Sequence, residues 1–186
     1  MRAPLLLSTS FTVECGSTMK KTVIIYTDGS ALGNPGPGGY AAILRYQGHC
    51  REISGGFRCT TNNRMELMAV IKALEALTEP CKVTLYSDSQ YLVNAITRGW
   101  VRRWQRNGWK RGKGAPALNA DLWQQLLTLL ETHDVTIQWV QGHEGDPDNE
   151  RCDTLARRAA RQPNLPADPG YPETRCHRRP HRRERQ

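Results

Sequence analysis

Three β-rich runs, TVIIYTD (22–28), AAILRY (41–46) and REISGGF (51–57), follow one another with only turn-forming residues between them. Strand-like and helix-like patterns then alternate almost to the C-terminus, and few architectures accommodate that order. The first run ends at Asp28 and leads into the Gly/Pro-rich GSALGNPGPGGY, which turns the chain; the second and third suit a hairpin across Gln47–Cys50. Three antiparallel strands are expected. From Asn63 to about Leu77, the residues Leu67, Val70, Ile71, Leu74 and Leu77 recur at helical spacing, and Pro80 marks the stop. VTLYS (83–87) is a short strand, SQYLVNAI a helix, and GWVRRWQRNGW places Trp100 and Trp104 four apart before Gly108. KRGKGAP is a basic loop, NADLWQQLLTLLETH an amphipathic helix, VTIQWV (135–140) a strand, and the last helix runs from about Pro147 to Ala160. The order βββαβαααβα implies an α/β fold, a mixed five-stranded sheet with helices on its faces. No internal repeat is present.

At 186 residues the chain is long enough for one domain with a proper core. The domain is placed at residues 20–162. Residues 1–19 are expected to be a disordered leader, with Met19 an alternative start. Its apolar run is only Leu5–Leu7, which argues against a secretory signal. Residues 163–186, Pro-rich and then basic, are expected to be a disordered tail. No segment approaches the roughly 20 apolar residues that span a bilayer. Six cysteines (Cys15, Cys50, Cys59, Cys81, Cys152, Cys176) form no CxxC pair. They are read as reduced thiols of a cytoplasmic protein, neither a zinc site nor a disulfide scaffold.

The net charge of +8 is unevenly placed. Residues 98–113 hold seven positive side chains and no acid, and residues 175–186 hold six arginines and one glutamate. The remainder is mildly acidic. Two basic devices on an acidic body point to an anionic partner, phosphate backbones first, although a charge run can also be a solvated face. The glycines of GNPGPGG (33–39) lack the GK[ST] ending and run into a strand, so they serve tight turning rather than a nucleotide cradle.

Four carboxylates stand near element edges: Asp28 in YTDGS, Glu66 in TNNRMELM, Asp88 in YSDSQ and Asp153 in NERCDTLA. Each has a structural alternative. Asp28 could end a strand, Asp88 could cap the helix after it, Asn63 and Glu66 have capping-box spacing, and Asp153 could be a first-turn acid. Together they suit a hard divalent cation, which takes oxygen ligands and sits well against a phosphate. Two such ions, about 3.5–4 Å apart, can activate water and steady the leaving oxygen of a phosphodiester.

The words TDGSALGNPGPGGYAAILRY, TTNNRMELMAVIKALEAL, SDSQYLVNAI, GWKRGKGAPALNADLW and WVQGHEGDPDNERCDTLA, in that order over residues 20–160, resemble bacterial ribonuclease HI. The resemblance implies an RNase H-like fold and a metal-dependent endonuclease that cuts the RNA strand of RNA–DNA hybrids, leaving 5′-phosphate and 3′-hydroxyl ends. It makes Asp28, Glu66, Asp88 and Asp153 the metal-binding carboxylates and His143 in QGHEG the catalytic histidine, whose imidazole can exchange protons near neutral pH. By the same pattern Asn34, Asn62, Asn63 and Gln90 lie near the minor groove, and Thr61 and Asn34 lie near a phosphate pocket for the DNA strand. The segment Trp100 to Lys113 resembles the family's basic protrusion, with Arg102, Arg103, Arg106, Lys110 and Arg111 as salt-dependent backbone contacts. Trp100, Trp104 and Trp109 either stack on nucleic acid or pack the protrusion together; their spacing favours packing. One residue near Arg98–Gly99 is extra relative to the family pattern and leaves the protrusion's register open.

The expected protein is a monomeric, cytoplasmic enzyme using Mg²⁺, two per site with substrate, with Mn²⁺ as substitute and no obligate protein partner. A non-catalytic hybrid-binding module is the alternative, and an exonuclease or integrase-like enzyme of the same fold is a third reading.

Overall fold

A computed structural model describes residues 20–142 and 145–176. The expected leader, His143, Glu144 and the arginine-rich end 177–186 lie outside the described residues.

The strands are β1 (Thr22–Ala31), β2 (Gly36–Tyr46), β3 (His49–Thr60), β4 (Lys82–Ser87) and β5 (Asp134–Trp139). The helices are α1 (Asn62–Glu75), α2 (Gln90–Thr97), α3 (Trp100–Arg106), α4 (Ala120–Thr132) and α5 (Pro147–Ala160). This is the expected order. The sheet runs β3-β2-β1-β4-β5, with β1–β2 and β2–β3 antiparallel and β1–β4 and β4–β5 parallel. Expected strand limits move outward, β3 to His49–Thr60 among them, and two of the shifts bear on the site. β1 continues to Ala31, so Asp28 lies within the strand rather than at its end, and β2 already begins at Gly36 inside the glycine-rich segment. Ladder hydrogen bonds to β2 outweigh the turn propensity of these residues, because Asp28 pairs with Ala41 and Ala31 with Gly38.

Burial alternates along β1, as the two-residue period of a strand requires. Val23 and Ile25 join Met65, Leu67, Ile71, Leu74, Leu85, Leu92, Trp123 and Leu126 in the main core beneath α1, α2 and α4. Ala41 on the other face packs with Leu155 and Ala156 of α5. Because Asp28 is the direct partner of Ala41, it points to the α5 side.

Glycine sets how closely both helices approach. A Cβ on Gly29 would lie 2.2 Å from the backbone nitrogen of Glu66, and one on Gly39 would lie 2.1 Å from the carbonyl oxygen of Ala156. Any side chain there would push α1 or α5 off the sheet and move the carboxylates those helices carry.

The C-terminal boundary is corrected. Residues 163–176, expected to be a disordered tail, lie against the domain. The backbone N–H of Arg58 on β3 donates to the Pro166 carbonyl (2.9 Å), and Asp168 is buried at 3% exposure. The reason is Arg64, 2% exposed on α1, whose guanidinium donates to both oxygens of Asp168 (2.7 and 2.8 Å) and both of Asp121 (2.9 and 2.7 Å). A buried cation must be paired, and composition does not reveal where its partner lies along the chain. The reading of six reduced thiols is corrected too. Cys59 at the end of β3 is disulfide-bonded to Cys176, while Cys50, Cys81 and Cys152 are free. A separation of 117 residues leaves no spacing signal for that pair.

Candidate active site

Four elements carry the four carboxylates, Asp28 on β1, Glu66 on α1, Asp88 in the turn after β4 and Asp153 on α5, and the charges of the other three all act on Asp28. Burial raises the Asp28 carboxyl first, and the negative charges of Asp88, Asp153 and Glu66 add to it. The one opposing contact is the Gly29 N–H, 2.7 Å from Asp28 Oδ1, and the pKa is pushed up to about 8. Glu66 is raised as well, by burial and then by Asp88, against donations from Ser89 and Asn62. Like charges held this close resist ionisation together.

None of the structural alternatives accounts for these acids. The N-cap of α1 is Thr61, and the Glu66 carboxylate turns inward to accept from the Ser89 hydroxyl and from Asn62 Nδ2 (2.8 Å) instead of closing a capping box. The N-cap of α2 is Ser89, whose Oγ accepts from Leu92 N–H (3.2 Å), so Asp88 is not the cap. Asp146 caps α5, Asp148 and Glu150 are its first-turn acids, and Asp153 lies a turn further on, with Arg157 Nε 2.8 Å from its Oδ1. All the donors are oxygens on separate elements, the set a hard divalent cation prefers, and cation binding would offset the repulsion felt by Asp28 and Glu66. The donor chemistry suits the metal, while among the described residues no group of three acidic, histidine or cysteine side chains is arranged to hold one.

Gly142 closes one side of the cluster; a Cβ there would lie 2.8 Å from Asp88 Oδ2. The expected catalytic histidine, His143, is the next residue and lies outside the described residues.

The expected substrate-reading residues divide into two groups. Asn34, Thr61 and Asn63 line one cleft, while Gln90 lines a groove with Asn94, Arg98 and Trp139. Asn62 is largely committed inside the protein. Its Oδ1 accepts from Ala31 N–H (3.2 Å) and its Nδ2 holds Glu66, which makes it an orienting residue for a carboxylate.

In the basic protrusion Trp100, Trp104 and Trp109 are half-buried against the main core, and Trp104 meets Trp123 edge-on with ring centroids 6.3 Å apart. All three pack against the core in this structure. The extra residue near Arg98–Gly99 falls at the break between α2 and α3, where Gly99 takes φ +66° as the N-cap of α3. Arg102 donates to Glu131 (3.0 Å) and Arg111 Nε to the Pro116 carbonyl (3.0 Å). Arg103, Arg106 and Lys110 are exposed, with no carboxylate in ion-pair range among the described residues.

Sequence reasoning missed Ser89, the hydroxyl that holds Glu66, and Trp139, whose indole N–H donates to the Asp88 carbonyl (3.2 Å) while the side chain stays 47% exposed. Ser89 stands next to Asp88 in SDSQ, and its cap position was a usable signal. Trp139 carried none, because in VTIQWV it reads as one more strand residue.

A mixed sheet whose acidic side chains act on one another, in a chain with a segment of exposed arginines and lysines, suits a phosphodiester hydrolase acting on nucleic acid. The RNase H family profile matches residues 20–161. The chain belongs to the RNase H family. Ribonuclease H of Syntrophus aciditrophicus is 61% identical over 153 residues, 82% of this chain and 88% of that protein. LC9-RNase H1, a type 1 RNase H with the type 2 active-site motif, superposes with a TM-score of 0.68 at 36% identity, covering 76% of this chain and 72% of that one. LC11-RNase H1, solved in complex with an RNA/DNA hybrid, shares the fold at a TM-score of 0.56 and 24% identity, covering 74% of this chain and 96% of that one.

Proposed function

We propose that this protein is a ribonuclease H that cuts the RNA strand of RNA–DNA hybrids internally, with little sequence preference, leaving 5′-phosphate and 3′-hydroxyl ends. The observation that carries this reading is the cluster of Asp28, Glu66, Asp88 and Asp153, in which Asp28 is pushed up to about 8 by burial and its acidic neighbours. Family membership, a curated relative named Ribonuclease H and the hybrid complex of LC11-RNase H1 support it.

The four carboxylates would hold Mg²⁺, two ions with substrate bound, and Mn²⁺ would substitute. The chemistry such cations supply is charge neutralisation at the scissile phosphate and an attacking water of lowered pKa. The protein's own part is orientation. Ser89 and Asn62 fix the Glu66 carboxylate, the Gly29 N–H fixes that of Asp28, and Trp139 braces the backbone of Asp88. His143 would move a proton to or from the leaving or attacking oxygen. Recognition of ribose on the cut strand falls to polar side chains near the cluster, since the 2′-hydroxyl distinguishes RNA from DNA. Arg103, Arg106 and Lys110 would contribute affinity through phosphates of either strand. The reading extends to a monomer acting in the cytoplasm without an obligate protein partner.

The test is cleavage of an end-labelled RNA–DNA hybrid with Mg²⁺, Mn²⁺ or EDTA, beside single-stranded RNA, double-stranded RNA and double-stranded DNA. Internal cuts confined to the RNA of the hybrid and lost in EDTA are expected. Binding without cutting in both metals would replace the enzyme with a hybrid-binding module.

A further inference from the structure

Between Ser87, the last residue of β4, and Gln90, the first of α2, stand only Asp88 and Ser89. The peptide that joins them belongs to neither element, so its two polar groups need other partners. Its carbonyl, that of Asp88, accepts from the indole N–H of Trp139 (3.2 Å), and its N–H, that of Ser89, donates to the Ser87 hydroxyl oxygen (3.2 Å). The C=O and N–H of a trans peptide point in opposite directions, so the two side chains hold one plane by its two edges. Both are well placed for this. Ser87 is buried, and β5 runs parallel to β4 with Trp139 opposite Ser87, the Val140 N–H donating to the Ser87 carbonyl (3.1 Å).

That single peptide carries a functional side chain at each end. On its N-terminal side is the Asp88 carboxylate. On its C-terminal side is the Ser89 hydroxyl, which donates to Glu66 and accepts from the Leu92 N–H (3.2 Å). Turning the plane would swing the Asp88 carboxylate and draw the Ser89 hydroxyl from Glu66 in one movement. Gly142, three residues beyond Trp139, leaves room for the carboxylate itself, since a Cβ there would lie 2.8 Å from Asp88 Oδ2. The end of β5 therefore meets Asp88 at both backbone and side chain. Trp139 is half-exposed and stands in neither hydrophobic core, so burial does not account for its place; its hydrogen bond does.

We propose that Trp139 and Ser87 are a pair of positioning residues that clamp the peptide between Asp88 and Ser89, and so hold two of the four carboxylates in one arrangement, Asp88 directly and Glu66 through Ser89. The proposal rests on the hybrid-cleaving reading above and adds to it a shared control of two acids on different elements. Neither side chain acts on the scissile phosphate. Their effect passes through the groups at the two ends of the peptide, where a misplacement of about 1 Å is enough to cost much of a rate. Trp139 also lines the groove with Gln90, Asn94 and Arg98, so direct contact with substrate is the competing role that the test separates.

The test compares the full chain with Trp139→Phe, which keeps a ring and removes the N–H, with Ser87→Ala and Ser87→Thr, and with the double variant Trp139→Phe, Ser87→Ala. Three quantities are measured: hydrogen exchange of the Ser89 amide in metal-free protein, Mn²⁺ binding by calorimetry without substrate, and steady-state cleavage of a labelled hybrid. Trp139→Phe should speed exchange of the Ser89 amide by about threefold or more, although that N–H lies across the peptide from the lost contact. It should weaken Mn²⁺ binding and lower kcat by roughly threefold to tenfold each, with KM for hybrid within about twofold of the parent. Ser87→Ala should do the same, and Ser87→Thr, which keeps the hydroxyl, should recover most of the loss. The double variant should fall little below the worse single one, since both contacts grip one peptide. Melting of Trp139→Phe should stay within about 3 °C of the parent, which excludes a folding defect. Unchanged Ser89 exchange in Trp139→Phe would overturn the clamp. A raised KM with unchanged kcat would overturn it in favour of substrate contact, and losses that multiply in the double variant would overturn the shared peptide. A parent that binds hybrid without cutting would defeat the nuclease reading alone, since amide exchange and Mn²⁺ binding still report on the clamp.

Discussion

Arg64 and Glu66 sit two residues apart near the start of α1, yet they belong to charge clusters of opposite character. Around Arg64 the charges are paired. Asp168 and Asp121 take all of the recorded guanidinium donations, Asp168 has a pKa held below the usual carboxylate range despite its burial, and Arg64 keeps its charge although burial opposes it. Around Glu66 like charges converge, and both Glu66 and Asp28 have raised pKa values. Burial is common to the two clusters, so burial alone does not mark function. The difference is compensation: the charges around Arg64 neutralise one another, whereas around Asp28 and Glu66 neighbouring negative charges add to the cost of burial.

Substitutions on the two sides should separate these roles. The largest effect is expected from Asp88→Asn, which should reduce hybrid cleavage by about 10²-fold or more while hybrid binding stays measurable. Full activity in this variant would defeat the metal assignment. Asp168→Ala should do the reverse. It leaves Arg64 buried with half its partners, at a cost of about 3 kcal/mol, read as a melting temperature lower by roughly 6–12 °C, with turnover per folded molecule little changed.

The third contrast is with pH. In metal-free protein the folded pKa of Asp28 is about 8 against an ordinary value of 3.8, so between those limits the folded state holds a proton that the unfolded chain has released. That contribution is fully present below about pH 4 and is lost as pH rises toward 8. Melting in EDTA should therefore show stability falling across this window, and Asp28→Asn should flatten the fall. An unchanged slope in that variant would mean that Asp28 is not the titrating group. The smallest effect is expected from Ser89→Ala, which removes both the cap of α2 and the donor to Glu66. A loss of about 1 kcal/mol is expected from the cap. Should the hydroxyl matter only as a cap, activity per folded molecule will not change.

The fold was largely legible because its elements obey simple periods. Leu67, Val70, Ile71 and Leu74 announced α1, and the residues of all five strands fell where β-rich runs stood. The limits of β1 and β2 were harder to read, since Asp28 to Gly38 is turn-rich by composition and becomes strand only through pairing. The carboxylates were legible by their surrounding words, and the structure removed the capping alternatives by assigning those caps to Thr61, Ser89 and Asp146. The tryptophans of the protrusion could be read either way until Trp104 was seen against Trp123.

By itself, then, the sequence determined the element order, the mixed sheet, the four acids and the basic protrusion, because each is written in neighbouring residues a few positions apart. Tertiary structure alone decided that Asp168 neutralises Arg64, that Cys176 reaches Cys59, and that Arg175 stands over the cleft beside Thr61. Those three placements bring together residues about a hundred positions apart or more. A buried charge selects its partner by position in space, and local pattern carries no record of that choice.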